Sequence, residues 1–209
     1  MARAPFISLD GLDGTGKSTQ CRLLAEWLRQ RGHAVTECAD PGSTAIGEVI
    51  RDLLLDRRRE MALPCEAFLF MASRAQLAAE VIKPALEAGR VVLSDRYLLA
   101  NVVYQGHAGG LDPDTLWQMG RVATGGLEPD LTIVLDLPIE IALSRLSGPA
   151  DRMESRASSY HARVRSGFLA EAQRRPERIR VIDASQPIAA VQERIREEVT
   201  RVLATGPRT

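Results

Sequence analysis

The residues Gly11-Leu12-Asp13-Gly14-Thr15-Gly16-Lys17-Ser18 follow the spacing G-x-x-x-x-G-K-S/T, and residue types in that order suit one task, the binding of phosphate. Glycines let the backbone curl until several N–H groups point inward at an anion. A helix starting near Lys17 would add the positive end of its dipole. Lys17 would then reach the β and γ phosphates of a nucleotide, and the Ser18 hydroxyl would be a ligand for a bridging Mg²⁺. A Gly-rich turn carrying a solvated lysine is the other reading of these residues. The context favours the first, because an apolar strand precedes the loop and a helical pattern that includes Thr19 follows it.

Two carboxylates stand at the ends of apolar runs. Val91-Val92-Leu93 ends in Ser94-Asp95, and Leu131 to Leu135 ends in Asp136. At a strand end beside the first strand, Asp95 could bind a Mg²⁺ water or organise an acceptor; otherwise it is a turn aspartate. Nothing around Asp136 resembles a site, so it is read as a strand-end residue. Lys and Arg total 27 and Asp and Glu total 27, so no net field recruits nucleic acid or an anionic membrane. The apolar runs stop far short of the roughly 20 residues that span a bilayer. Met1 to Pro5 lacks the regions of a signal peptide, which makes a cytoplasmic location the expectation. Cys21, Cys38 and Cys65 have no metal-type spacing and are read as reduced, partly buried thiols.

These residues need a scaffold, and its elements are legible. Phe6 to Leu9 reads as a buried strand, with a helix through Leu23, Leu24, Trp27 and Leu28 ending near Gly32. A strand at Ala34 to Cys38 leads through Asp40-Pro41-Gly42 into a helix carrying Ile46, Val49, Ile50, Leu53 and Leu54. From Pro64 to Ala88 the spacing of Phe68, Ala72, Ala75, Ala79, Ile82 and Leu86 predicts one long amphipathic helix, stopped at Gly89 and open to a kink at Pro84. Ile179 to Ile182 reads as a last strand, and Ile188, Val191, Ile195, Val199 and Val202 stripe a closing helix. Alternation of this kind predicts an α/β fold in one domain over residues 1–209, a parallel sheet with helices on both faces and ligands at the strands' C-terminal ends.

Among proteins with such a loop, a Ras-type GTPase would need Asn-Lys-x-Asp, yet the only Asn here is Asn101, followed by Val. An ATP-binding cassette would carry Leu-Ser-Gly-Gly-Gln, and Leu146-Ser147-Gly148 continues as Pro149. A small metabolite kinase remains. Phe6 to Gln20, FISLDGLDGTGKSTQ, resembles the opening of bacterial thymidylate kinases, and the resemblance continues in register nearly to the C-terminus. Phe70-Met71-Ala72-Ser73-Arg74-Ala75-Gln76 resembles that family's F-x-A-x-R-x-Q helix. Asp95-Arg96-Tyr97, Tyr104-Gln105-Gly106 and Asp151-Arg152-Met153-Glu154 resemble its D-R-Y, Y-Q-G and D-R-I/M-E segments.

The resemblance implies an adenylate-kinase-like P-loop NTPase core, a five-stranded sheet in the order 2-3-1-4-5, and a short lid at about 147–157. It implies transfer of phosphate from Mg-ATP to dTMP, and a homodimer. Gly11 to Thr19 would hold ATP, with Lys17 catalytic and Ser18 and Asp95 on the metal; Arg156 would reach ATP from the lid. For dTMP, Phe70 and Arg74 are four apart and share a helix face, so the ring can stack on a pyrimidine while the guanidinium donates to its carbonyl. Asn101 and Gln105, also four apart, could read the base edge, or could be an exposed polar pair. Tyr104 near the sugar would favour deoxynucleotides, and Asp13 would accept from the 3′-hydroxyl. Asp40-Pro41 would border the acceptor. Arg96 and Arg51 would hold the acceptor phosphate, since two polyanions meet only among cations. One branch of the family carries a catalytic arginine where this chain has Gly14, so the lid must supply that charge, with Arg152 the first choice and Arg156 second.

The family usually reads Arg-Glu-Pro-Gly after the second strand, where this chain has Ala39-Asp40-Pro41-Gly42, and Ala100 stands where a small hydroxyl residue is common. The missing cation leaves open a kinase for another pyrimidine monophosphate or a deoxynucleoside. A non-catalytic nucleotide sensor is a further alternative, opposed by the intact Lys17, Ser18, Asp95 and lid arginines.

Overall fold

The computed structural model describes residues 4–146 and 151–205. The first four residues of the expected lid, 147–150, thus lie outside the described residues, as do Met1 to Arg3. Five strands, β1 (Phe6–Gly11), β2 (Val35–Ala39), β3 (Val91–Asp95), β4 (Leu131–Asp136) and β5 (Ile179–Asp183), form one parallel sheet in the order β2-β3-β1-β4-β5. The central strand β1 is buried throughout, whereas the outer strands β2 and β5 are only partly buried, as befits the sheet edges.

Helix α1 (Lys17–Gln30) packs on α9 (Ile188–Thr205), and together they cover one face. The other face is covered by α4 (Lys83–Glu87), α5 (Leu98–Asn101) and α8 (Ser158–Arg174). Helices α2 (Ala45–Leu55) and α3 (Leu63–Leu77) pack on each other, α6 (Pro113–Thr124) packs on α3, and the short α7 (Ile139–Ser144) packs on α8. Registers Leu9↔Asp95 and Ala39↔Asp95 bring the ends of β1, β3 and β2 level, so Asp10, Asp95 and Asp40 emerge together at one edge.

The long helix expected over Pro64 to Ala88 is real in extent but not regular. A π-helical segment, Ala78–Ile82, separates α3 from α4 two residues before Pro84. Proline has no N–H to donate and its ring crowds the preceding turn, and the widened turn relieves both. The apolar stripe chosen for its buried face also needs correction. Phe68 is 60% exposed, Ala72 and Ala79 are exposed, and Ile46 and Val49 on α2 are equally open. The face turned inward instead carries Glu66, Met71, Ser73, Arg74 and Leu77. Spacing reports that a helix has two faces; here the polar one covers a cleft, which periodicity alone does not reveal.

Candidate active site

The turn after β1 leads into α1 through Gly16, whose left-handed φ of 93° serves as the N-cap without any side-chain bond. The first-turn N–H groups are therefore left for an anion. Thr15 Oγ1 braces the loop on the Leu12 carbonyl at 2.8 Å. Lys17 is buried and folds back, its Nζ donating to the Leu12 carbonyl at 2.8 Å and the Gly11 carbonyl at 3.3 Å, with Asp13 Oδ1 at 3.4 Å. Burial and the nearby Arg96 lower its pKa. A Cβ on Gly14 would lie 2.0 Å from the Ala142 carbonyl oxygen, so the backbone of α7 excludes any side chain from the position where an arginine would otherwise enter the loop.

Asp95 accepts from Ser18 Oγ at 2.7 Å at the loop's rim. These are hard oxygen donors, and among the described residues no cluster of three or more His, Cys, Asp or Glu could hold a metal unaided. An ion here would take most of its ligands from phosphate and water, which is the habit of Mg²⁺.

Arg96 follows β3 with a left-handed φ of 69°, its N–H held by the Leu9 carbonyl and its own carbonyl by Ser94 Oγ at 2.6 Å. That backbone aims the guanidinium at Asp13 Oδ1, 2.5 Å away, at the Gly11 carbonyl, 3.1 Å, and over the Tyr104 ring. Burial raises the Asp13 carboxyl, but the Arg96 and Lys17 charges outweigh it and hold the group well below the usual carboxylate range. Asp10, fully buried behind them, has no hydrogen-bond partner among the described residues for either carboxylate oxygen, and burial pushes it up to about 7 against the pull of Arg96 and Lys17.

Two cavities meet here. A cleft of about 710 Å³ runs from residues 13–19 of the loop to Ala184, Gln186, Ile188 and Val191, with Arg145 on its wall. Gly11 and Leu12 lie behind it, their carbonyls on Lys17. The second cavity, of about 100 Å³, is lined by Pro41, Phe70, Arg74, Asn101, Tyr104 and Gln105, and by Asp151 and Met153 of the expected lid. Asp13, Asp40, Arg51 and Arg96 line both. Arg51 donates to the Pro41 carbonyl at 2.9 Å.

Asn101 and Gln105 are buried rather than exposed, on α5 and on the π-helical segment Val102–His107 that continues it. Arg74 joins Asp40 at 2.6 Å and Asn101 at 3.0 Å; burial raises the Asp40 carboxyl while Arg74 opposes that rise. Asp40 is thus engaged by Arg74. The lid arginines line neither cavity: Arg152 and Arg156 both donate to Glu66, and Arg152 Nε to the Leu54 carbonyl at 2.7 Å. Asp136 spends both oxygens on Arg165, as befits a strand-end residue. Sequence reasoning missed Glu66, Arg145 and Asp10. Glu66 sits four residues before Phe70 on the helix already singled out, and that spacing was the available signal.

Facing cavities joined by shared arginines are the geometry of phosphoryl transfer between two phosphorylated molecules, and on this sheet they define the class of P-loop nucleoside monophosphate kinases. The family model described as thymidylate kinase matches residues 9–195. The chain is 52% identical over 190 residues to a thymidylate kinase of Rhodopirellula baltica, covering 91% of this chain and 78% of that protein. It is 47% identical over 200 residues to one of Symbiobacterium thermophilum, covering 95% and 94%. A crystal structure of thymidylate kinase from Ehrlichia chaffeensis superposes with a TM-score of 0.77 at 27% identity, over 94% of this chain and 99% of that one. The chain belongs to the thymidylate kinase family.

Proposed function

We propose that this protein transfers the γ-phosphoryl of Mg-ATP in line to dTMP, giving dTDP and ADP, by positioning and electrostatics without a phosphoprotein intermediate. The observation that carries the reading is that Arg51 and Arg96 line both cavities at their junction. Two guanidinium groups there can hold the acceptor phosphate against its repulsion from ATP.

Residues 11–19 form the donor cradle, and Lys17, released from its loop carbonyls, contacts the outer phosphates. Ser18 and Asp95 would hold Mg²⁺, which neutralises phosphate charge and orients the nucleotide when bound. In the smaller cavity Phe70 stacks on the pyrimidine, while Arg74, Asn101 and Gln105 address its polar edge. Tyr104 packs beside the sugar, Asp13 accepts from the 3′-hydroxyl, and Asp40-Pro41 supports the wall. The lid arginines Arg152 and Arg156 add charge once the lid closes over ATP.

Ile46, Val49 and Phe68 form an apolar surface on α2 and α3 that suits a homodimer. One continuous sheet supports reading 1–209 as a single domain. Among the described residues no helix is long and apolar enough to cross a membrane. The balance of 27 basic and 27 acidic residues supports reading the protein as a cytoplasmic enzyme that recruits neither nucleic acid nor an anionic membrane. ADP release over dTMP, dUMP, dCMP and thymidine tests the acceptor. dTMP should lead; a larger kcat/KM for another monophosphate or for the nucleoside would overturn the assignment, and no acceptor-dependent release at all would leave a nucleotide sensor.

A further inference from the structure

Glu66 is wholly buried, and four hydrogen bonds converge on its two oxygens. Gln105 Nε2 donates to Oε1 at 2.7 Å, Arg152 Nη1 to Oε2 at 2.5 Å, and Arg156 Nη2 to both oxygens at 3.0 and 2.7 Å. One carboxylate therefore holds a residue of the acceptor-base cavity and both lid arginines. The connection continues the other way. Gln105 Oε1 accepts from Asn101 Nδ2 at 2.7 Å, Asn101 Oδ1 from Arg74 Nη1 at 3.0 Å, and Arg74 Nε donates to Asp40 at 2.6 Å. Arg74 has only donors and Glu66 accepts in every one of its bonds, so the two amides between them are held in one orientation. The relay is polarised from Arg74 to the lid.

Arg152 also ties the lid to the end of α2 through the Leu54 carbonyl, and its neighbours Asp151 and Met153 line the acceptor cavity. That cavity, at about 100 Å³, is well below the roughly 300 Å³ at which ligand pockets begin. A base that binds there must make room for itself among side chains that include Arg74, Asn101 and Gln105. Moving Gln105 would alter the set of donors that Glu66 holds, a set that includes Arg152 and Arg156.

We propose that Glu66 is a positioning residue that couples occupancy of the acceptor-base cavity to placement of the lid arginines, so that binding of the acceptor strengthens binding of ATP. This rests on reading that cavity as the dTMP site. The effect expected of such coupling is on the order of tenfold in affinity, and it must be reciprocal.

The test is calorimetric titration of the full chain with a non-hydrolysable Mg-ATP analogue, with and without saturating dTMP. Wild type should bind the analogue roughly tenfold more tightly with dTMP present. Glu66→Gln should bind it as wild type does without dTMP, because Glu66 does not line the cleft at the phosphate loop, and should lose most of the enhancement. Arg152→Gln should lose it as well, and the double variant should lose no more than either alone, as expected of residues acting through one another. Glu66→Gln that binds both ligands with the enhancement intact overturns the proposal, as does wild type with no enhancement. If Glu66→Gln fails to fold, Arg152→Gln and Arg156→Gln together carry the test, and enhancement retained in that pair overturns it. Wild type that does not bind dTMP sinks the acceptor assignment first and the coupling with it.

Discussion

The Arg96 guanidinium lies 2.5 Å from the Asp13 carboxylate, and only because the Arg96 backbone is held left-handed at φ 69° does the side chain turn back across the phosphate loop. A non-glycine residue in that region costs roughly 1–2 kcal/mol, here offset by backbone bonds to Leu9 and Ser94. Strain is thus stored at the residue that joins the two cavities, and it separates what Arg96 does for stability from what it does for chemistry.

Replacing Arg96 by Ala or by Gly removes the same guanidinium, so both variants should lose at least about 10²-fold in turnover. Their stabilities should differ. Glycine adopts φ 69° freely, and after its larger unfolded-state entropy is set against that gain, Arg96→Gly should be more stable than Arg96→Ala by about 0.5–1 kcal/mol. Urea denaturation of the pair measures this. A less stable glycine variant would refute the strain.

Lys17→Ala should reduce turnover by at least about 10²-fold with the cooperative melt retained, because the lysine's partners are loop carbonyls and Asp13 rather than the core. Near-normal turnover would remove the phosphate-loop assignment.

Arg145 and Arg152 should separate kinetically. Arg145 walls the donor cleft, so Arg145→Ala should raise KM for ATP by roughly tenfold and leave dTMP binding alone. Arg152 is anchored to Glu66 beside the acceptor, and Arg152→Ala should lower kcat more than it weakens dTMP binding. Steady-state kinetics with each substrate varied would decide, and identical profiles for the two variants would contradict the division.

Much of this arrangement was legible in the order of residues. The loop from Gly11 to Ser18 announces itself because its chemistry is local, and β1, β3 and β4 read as apolar runs because they are buried on both faces. Phe70 and Arg74 share a face by spacing alone. Spacing could place Glu66 on the face of Phe70, but not its role, since its partners Gln105, Arg152 and Arg156 come from 39, 86 and 90 residues away. Helix α8 escaped because its buried stripe contains His161 and Glu171 and no side chain caps its start. Helix α6, by contrast, carries an Asp112 cap, Pro113 and a closing Gly125, signals that a closer reading of turns would have used.

Asp10 gives a dependence on pH. Its carboxyl is raised by burial from 3.8 to about 7, so between those values the folded protein holds a proton that the unfolded chain releases. That contribution to stability is fully present below about pH 4, falls as pH rises to about 7, and is flat above. Asp10→Asn, neutral throughout, should therefore gain on wild type across that window, by an amount of order 1–4 kcal/mol at pH 8. Thermal melts of both proteins at half-unit steps of pH would show it; parallel curves would mean that Asp10 is not held neutral.

The exposed apolar surface yields the last expectation. Ile46, Val49 and Phe68 are 54%, 61% and 60% exposed, and they lie on α2 and α3, which pack on each other. If two copies meet there, wild type should sediment as a dimer at micromolar concentration, and Val49→Glu with Phe68→Glu should sediment as a monomer, because two carboxylates per copy would be desolvated in the interface. Each substitution is on an open face, so the monomer should keep its cooperative melt. A double variant that remains dimeric would place the interface elsewhere, and a monomeric wild type would remove the dimer from the account of this enzyme.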